Sequence, residues 1–159
     1  MLQGYPTKNG TGISIFGDFA DLENLYETVH EIAEPLNEND IQLKGQWQLL
    51  LNFAYDIRKA YSGQRLIDKV TYNGDGHKIP LFGFQCVWTD VLIFISTLRH
   101  NAGYLPTNKK NQANLFRLEE VVERALFSYD TEGANTIQQY LGQRINIANP
   151  YAFIIFQKK

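Results

Sequence analysis

The chain has 159 residues, 44% hydrophobic and 20% charged, which is the make-up of a single folded domain, residues 1–159, with a sizeable core. One cysteine, Cys86, excludes an intrachain disulfide, and the most apolar run, Val91 to Ile95, is far too short to span a bilayer. The formal charge of −2 is segregated: residues 1–40 hold eight acids and one base, a net −7, and the remaining residues hold nine acids and fourteen bases, a net +5.

In chain order, Leu2 to Tyr5 reads as a short strand, Lys8-Asn9-Gly10 as a turn and Gly12 to Phe16 as the returning strand of a hairpin. Gly17-Asp18 ends it, with Asp18 as N-cap of a first helix running to about Ala33. Leu22, Leu25, Tyr26, Val29, Ile32 and Ala33 recur at helical spacing as its core stripe, and Glu23, Glu27, His30, Glu31 and Glu34 fall on the opposite side. Pro35 to Asp40 is a polar connection. A second helix spans about Gly45 to Tyr61, with Trp47, Leu50, Leu51, Phe53, Ala54, Ile57 and Tyr61 inward and Gly63 as its stop. A second hairpin follows, Lys69 to Tyr72 and Lys78 to Phe84 around Asn73-Gly74-Asp75-Gly76, with Pro80 pushing its strand toward an edge or bulge. The third helix, about Val87 to His100, is apolar almost all round and is expected at the centre with the second. The fourth runs from about Lys109 to Tyr129 with Leu115, Leu118, Val121, Val122, Ala125 and Leu126 inward. The fifth runs from Thr131 to Gly142. Tyr151 to Phe156, apolar on both faces, reads as a central strand paired with the N-terminal hairpin. The expected fold is therefore α+β, with about five helices and a small, mainly antiparallel sheet.

No local constellation carries catalysis. The three histidines lie far apart, and Glu27-Thr28-Val29-His30 offers one Glu-x-x-His where a di-iron bundle needs two and further glutamates. Ser14 sits inside a strand without a nucleophile elbow, and Gly10-Thr11-Gly12 precedes its strand where a dinucleotide loop would follow it. Arg99 and His100 are adjacent, so they point in different directions; charge compensation at a helix C-terminus accounts for both. Cys86 lies in an apolar run with no cation to activate it. The expectation is a protein with no metal and no cofactor that is not an enzyme, although a site assembled from scattered residues leaves no such motif.

Two surfaces are candidates for binding. Glu23, Glu27, Glu31 and Glu34 form one face of a helix that has no Lys or Arg of its own, which suits a partner with a basic surface. On the fourth helix Lys110, Arg117 and Arg124 recur every seven residues. With Lys109 they could hold an anion or nucleic acid near the helix N-terminus, or simply solvate the surface. A pI near 5.9 disfavours nucleic acid. Phe116, in the middle of that polar face, has the character of an interface anchor.

Tyr5-Pro6-Thr7-Lys8-Asn9-Gly10-Thr11-Gly12, the Gly17-Asp18 junction and Asn101-Ala102-Gly103-Tyr104 resemble a family of small uncharacterised bacterial proteins with no assigned function, over most of the chain. The resemblance brings no site residue. The combined expectation is a cytoplasmic, non-catalytic protein-binding module with no membrane partner, either an immunity-type inhibitor or an accessory subunit of a larger complex.

Overall fold

A computed structural model describes residues 1–36, 43–71 and 78–138. Over these residues the chain is α+β, with strands β1 (Gln3–Pro6), β2 (Gly12–Gly17), β3 (Leu66–Thr71) and β4 (Lys78–Val87). The helices are α1 (Phe19–Ala33), α2 (Lys44–Tyr61), α3 (Trp88–Ala102), α4 (Lys109–Tyr129) and α5 (Thr131–Gln138). The strands form one antiparallel sheet in the order β1-β2-β4-β3, so two hairpins join along β2 and β4.

Strand alternation sets what the sheet buries. Ile13 and Ile15 of β2 and Phe84 of β4 point at the helices and are buried, whereas Ser14 and Gln85 face the other way, Gln85 Nε2 donating to Ser14 Oγ at 3.0 Å. Phe16 lies across Gly83, where an added Cβ would fall 2.5 Å from its ring. Beyond the Gly17–Phe82 pair, β4 pairs with β3 alone among the described residues, and Pro80 falls in that half, where its missing N–H is tolerated. The first hairpin turns at Gly10, whose φ of 68° favours glycine, and Trp88 Nε1 donates to the Gly10 carbonyl at 3.0 Å.

Helix starts follow the chemistry of their caps. Asp18 accepts from the Asp21 N–H at 2.8 Å and Asp21 returns the bond to Asp18 N–H, a reciprocal capping box. Asn108 caps α4 through the Asn111 N–H at 2.8 Å. Val91 to Leu98 of α3 are all buried, polar Ser96 and Thr97 included, and the Thr97 hydroxyl donates to the Ile93 carbonyl at 2.7 Å. The same core takes Leu22, Leu25 and Val29 of α1, Leu50, Phe53 and Ile57 of α2, and Leu118 and Val122 of α4. Phe53 stacks on Phe94 at 4.5 Å and meets Phe84 edge-on at 5.9 Å, tying α2, α3 and the sheet together.

Two expectations about burial are corrected. Trp47 and Leu51 of α2 are half-buried, not buried, and Tyr26 and Tyr61 are half-buried likewise. Helix α2 commits only its Leu50–Phe53–Ile57 stripe to the core, and Leu51, one residue round the helix, turns toward the side that also exposes Gln48, Asn52 and Tyr55. The central helix is α3. The expected strand Tyr151 to Phe156, the last turn expected of the fifth helix, the connection after Leu36 and the turn containing His77 lie outside the described residues.

Candidate functional site

Helices α1 and α4 pack side by side, and their contact is polar where the sequence placed opposite charges far apart. Lys110 Nζ donates to Glu27 Oε2 at 2.6 Å across 83 residues of chain. Asn111, 4% exposed, donates from Nδ2 to Glu31 at 2.7 Å and accepts from the buried Thr28 hydroxyl at 3.2 Å. Asn114 Nδ2 donates to Thr28 Oγ1 at 2.8 Å and to the Asn24 carbonyl at 3.2 Å. The first turns of α4 are thus met by the chain's own carboxylates, Glu27 and Glu31. An internal anion accounts for lysines at a positive helix end. The hydrogen bond to Glu27 raises the Lys110 pKa.

The remaining sequence candidates are dispersed. Lys109 and Arg117 are exposed, and Arg117 makes no ion pair among the described residues. Arg124 pairs with Glu120 one helical turn back at 3.2 Å, both well exposed. Arg99 makes a bidentate contact with Glu119 at 2.5 and 2.6 Å, and its guanidinium lies 4.3 Å over the exposed Phe116 ring. Phe116 is therefore an exposed ring held in place by a cation. Two of the four basic residues of α4, Lys110 and Arg124, are taken up in separate local ion pairs, so the four form no continuous free stripe.

What sequence reading missed is an aromatic strip beside the acids. Phe19, 48% exposed, meets Tyr61 edge-on at 5.3 Å; Tyr61 meets Tyr26 edge-on at 6.0 Å; Tyr26 lies against His30 at 5.3 Å. Glu23 stands four residues after Phe19 and three before Tyr26, so it shares their face of α1. Burial, the neighbouring Tyr26 and the Glu23 carboxylate, in that order, push the Tyr61 phenol above its ordinary pKa. Glu23, Glu34 and His30 are exposed. The signal was present as Phe19 and Tyr26 at i and i+7. Tyr26 was absorbed into the core stripe by its position, and Tyr61 comes from another helix. Elsewhere the chain already sets cations on rings: Arg58 and Lys59 lie over Tyr55 at 5.4 and 5.2 Å. Among the described residues no cation lies over Phe19, Tyr26 or Tyr61.

Cys86 is half-buried in β4, and burial, with Asp56 and Asp90 nearby, pushes its thiol up to about 12. That shift disfavours the thiolate form a nucleophile would need. Among the described residues no three His, Cys, Asp or Glu side chains gather as a metal ion would need. No helix among them is long and apolar enough to cross a membrane.

The fold and these surfaces define a small α+β domain in which helices cover one face of a four-stranded antiparallel sheet. The chain belongs to the family described as a domain of unknown function, DUF6904, whose model matches residues 2–158. No curated protein and no solved structure matches it.

Proposed function

We propose that this protein is a non-catalytic, cytoplasmic binding module of bacterial origin that docks a partner protein with a basic surface. In that role it would be an immunity-type inhibitor or an accessory subunit. The observation that carries the reading is the strip Phe19–Tyr61–Tyr26–His30, whose Phe19, Tyr26 and Tyr61 rings have no cation over them among the described residues and which has the Glu23 carboxylate beside it. An aromatic face beside a carboxylate is complementary to Arg or Lys, through Coulomb attraction together with cation–π contact. The exposed Phe19 ring, with half-buried Tyr26 and Tyr61 beside it, also supplies contact area that can anchor an interface. Glu23 and Glu34 serve this face. Glu27 and Glu31 are engaged within the chain by Lys110 and Asn111, so they contribute charge more than contact.

The experiment is a pull-down from the native host with the tagged full chain, repeated with Tyr61→Ala and with Glu23→Gln. The proposal expects one basic protein recovered in stoichiometric amount by the wild type and depleted by both variants. Equal recovery by wild type and variants would remove this strip from the interface.

A further inference from the structure

Lys109, Phe116 and Glu123 recur every seven residues along α4, so they stand in one line on its outer side. Phe116 is the centre of that line and is 56% exposed, with Gln112, Ala113 and Glu120 exposed around it. The ring is fixed before any docking. The Arg99 guanidinium lies 4.3 Å over it and is itself held by both Glu119 carboxylate oxygens. A side chain already held in place loses little rotamer freedom when it is covered. Seven residues of helix rise about 10 Å, so one charge stands at that distance on each side of the ring. Lys109 and Glu123 make no ion pair among the described residues. The basic flank Lys110, Arg117 and Arg124 lies about 100° round the helix, and Lys110 and Arg124 are already taken up by Glu27 and Glu120.

A surface complementary to this line has an apolar group at its middle, an acid opposite Lys109 and a base opposite Glu123. The same helix turned end for end meets all three requirements. Phe116 then lies on Phe116 of a second copy, and aromatic pairs of this kind attract beyond the area they bury. Lys109 faces Glu123 of the second copy, and Glu123 faces its Lys109. A parallel arrangement instead sets Lys109 against Lys109 and Glu123 against Glu123, which repel. The charge order along α4 therefore selects the antiparallel arrangement. That arrangement has a two-fold axis at Phe116 and closes with two copies.

We propose that the protein pairs with a second copy of itself through α4, antiparallel about Phe116, with Lys109 and Glu123 exchanged between the copies. A helix of 21 residues is about 30 Å long. One such face is small beside a standard protein interface, so the association is weak and depends on concentration. The aromatic strip of α1 and α2 takes no part in it, and neither reading depends on the other.

The test is sedimentation velocity of the full chain at rising concentration and low salt. The wild type is expected to pass from monomer to dimer between the micromolar and millimolar ranges. Phe116→Ala, Lys109→Glu and Glu123→Lys should each weaken the dimer by about tenfold or more, because every substitution acts twice in a two-fold pair. The double variant Lys109→Glu, Glu123→Lys restores opposite charges across the axis and should return to within about threefold of the wild type. A protein damaged in its folding would not regain the dimer, so this variant separates a lost contact from a lost fold. The Glu23→Gln, Glu34→Gln variant should dimerise as the wild type does. A wild type that stays monomeric into the millimolar range would overturn the proposal. So would single charge reversals without effect, or a double variant as weak as either single one.

Discussion

At the scale of single residues, four side chains show how environment fixes role. Cys86 sits in an apolar run with no cation nearby in sequence, and burial disfavours its thiolate, moving its pKa from 9.0 to about 12. Alkylation by iodoacetamide at pH 8 should therefore be far slower than for an exposed cysteine and should become fast in denaturant. The folded pKa is raised, so the contribution to stability is full below pH 9 and is lost as pH climbs toward 12. Leu50 and Leu92 are core residues of α2 and α3. Leu50→Ala or Leu92→Ala should each cost about 2–5 kcal/mol, from lost transfer energy and the cavity left behind, read as a lowered denaturation midpoint. An unchanged midpoint in both would contradict the packing described. Phe116 was legible as an exposed ring because it interrupts a polar face. Its cation was not, because Arg99 comes from another helix.

At the scale of elements, the first four helices were legible to within a residue or two, from their apolar periodicity and, at some ends, from capping or stop residues. Asp18 and Asn108 mark two starts, and Gly103 follows the last residue of α3. Asp18→Ala should cost about 1 kcal/mol by removing the capping acceptor, measured by chemical denaturation. Strand pairing was half legible. Each hairpin shows in its turn residues, but the β2–β4 pairing that joins them depends on chain closure across some 70 residues, which no local pattern encodes. The same limit hid the α1–α4 seam. Glu27 and Lys110 looked like members of two opposed surfaces until the fold put them at 2.6 Å. Asn111 is the seam's pivot, so Asn111→Ala should leave the buried Thr28 O–H without its acceptor, its oxygen still bonded by Asn114, and release Glu31. Leaving such a buried group unsatisfied costs about 1–3 kcal/mol, whereas Glu31→Gln, which keeps an acceptor, should cost less. Equal losses in the two variants would show that the seam is not a coupled network. With Lys110 and Arg124 committed within the chain, α4 should not bind duplex DNA near physiological salt; tight, salt-sensitive binding lost on replacing Lys110, Arg117 and Arg124 together would contradict this.

At the scale of the whole molecule, the segregated charge that stands out in the sequence is partly consumed by folding and partly left over. The basic α4 neutralises the near side of the acidic α1 at Glu27, and Asn111 ties down Glu31; Glu23 and Glu34 stay in solvent, Glu23 beside the aromatic strip. This redistribution explains why composition alone pointed to a whole acidic face when the geometry concentrates the reading on a narrower one. Charged groups at the rim of an interface chiefly set association rate, and salt screens them over about 8 Å at physiological strength. The most direct measurement compares association rates of the wild type and the Glu23→Gln, Glu34→Gln variant with the recovered partner, at low and at high salt. The account predicts slower association of the variant at low salt, a dissociation rate changed far less, and convergence of the two proteins at high salt. Equal association rates at low salt would contradict it and leave this face of α1 as ordinary solvated surface.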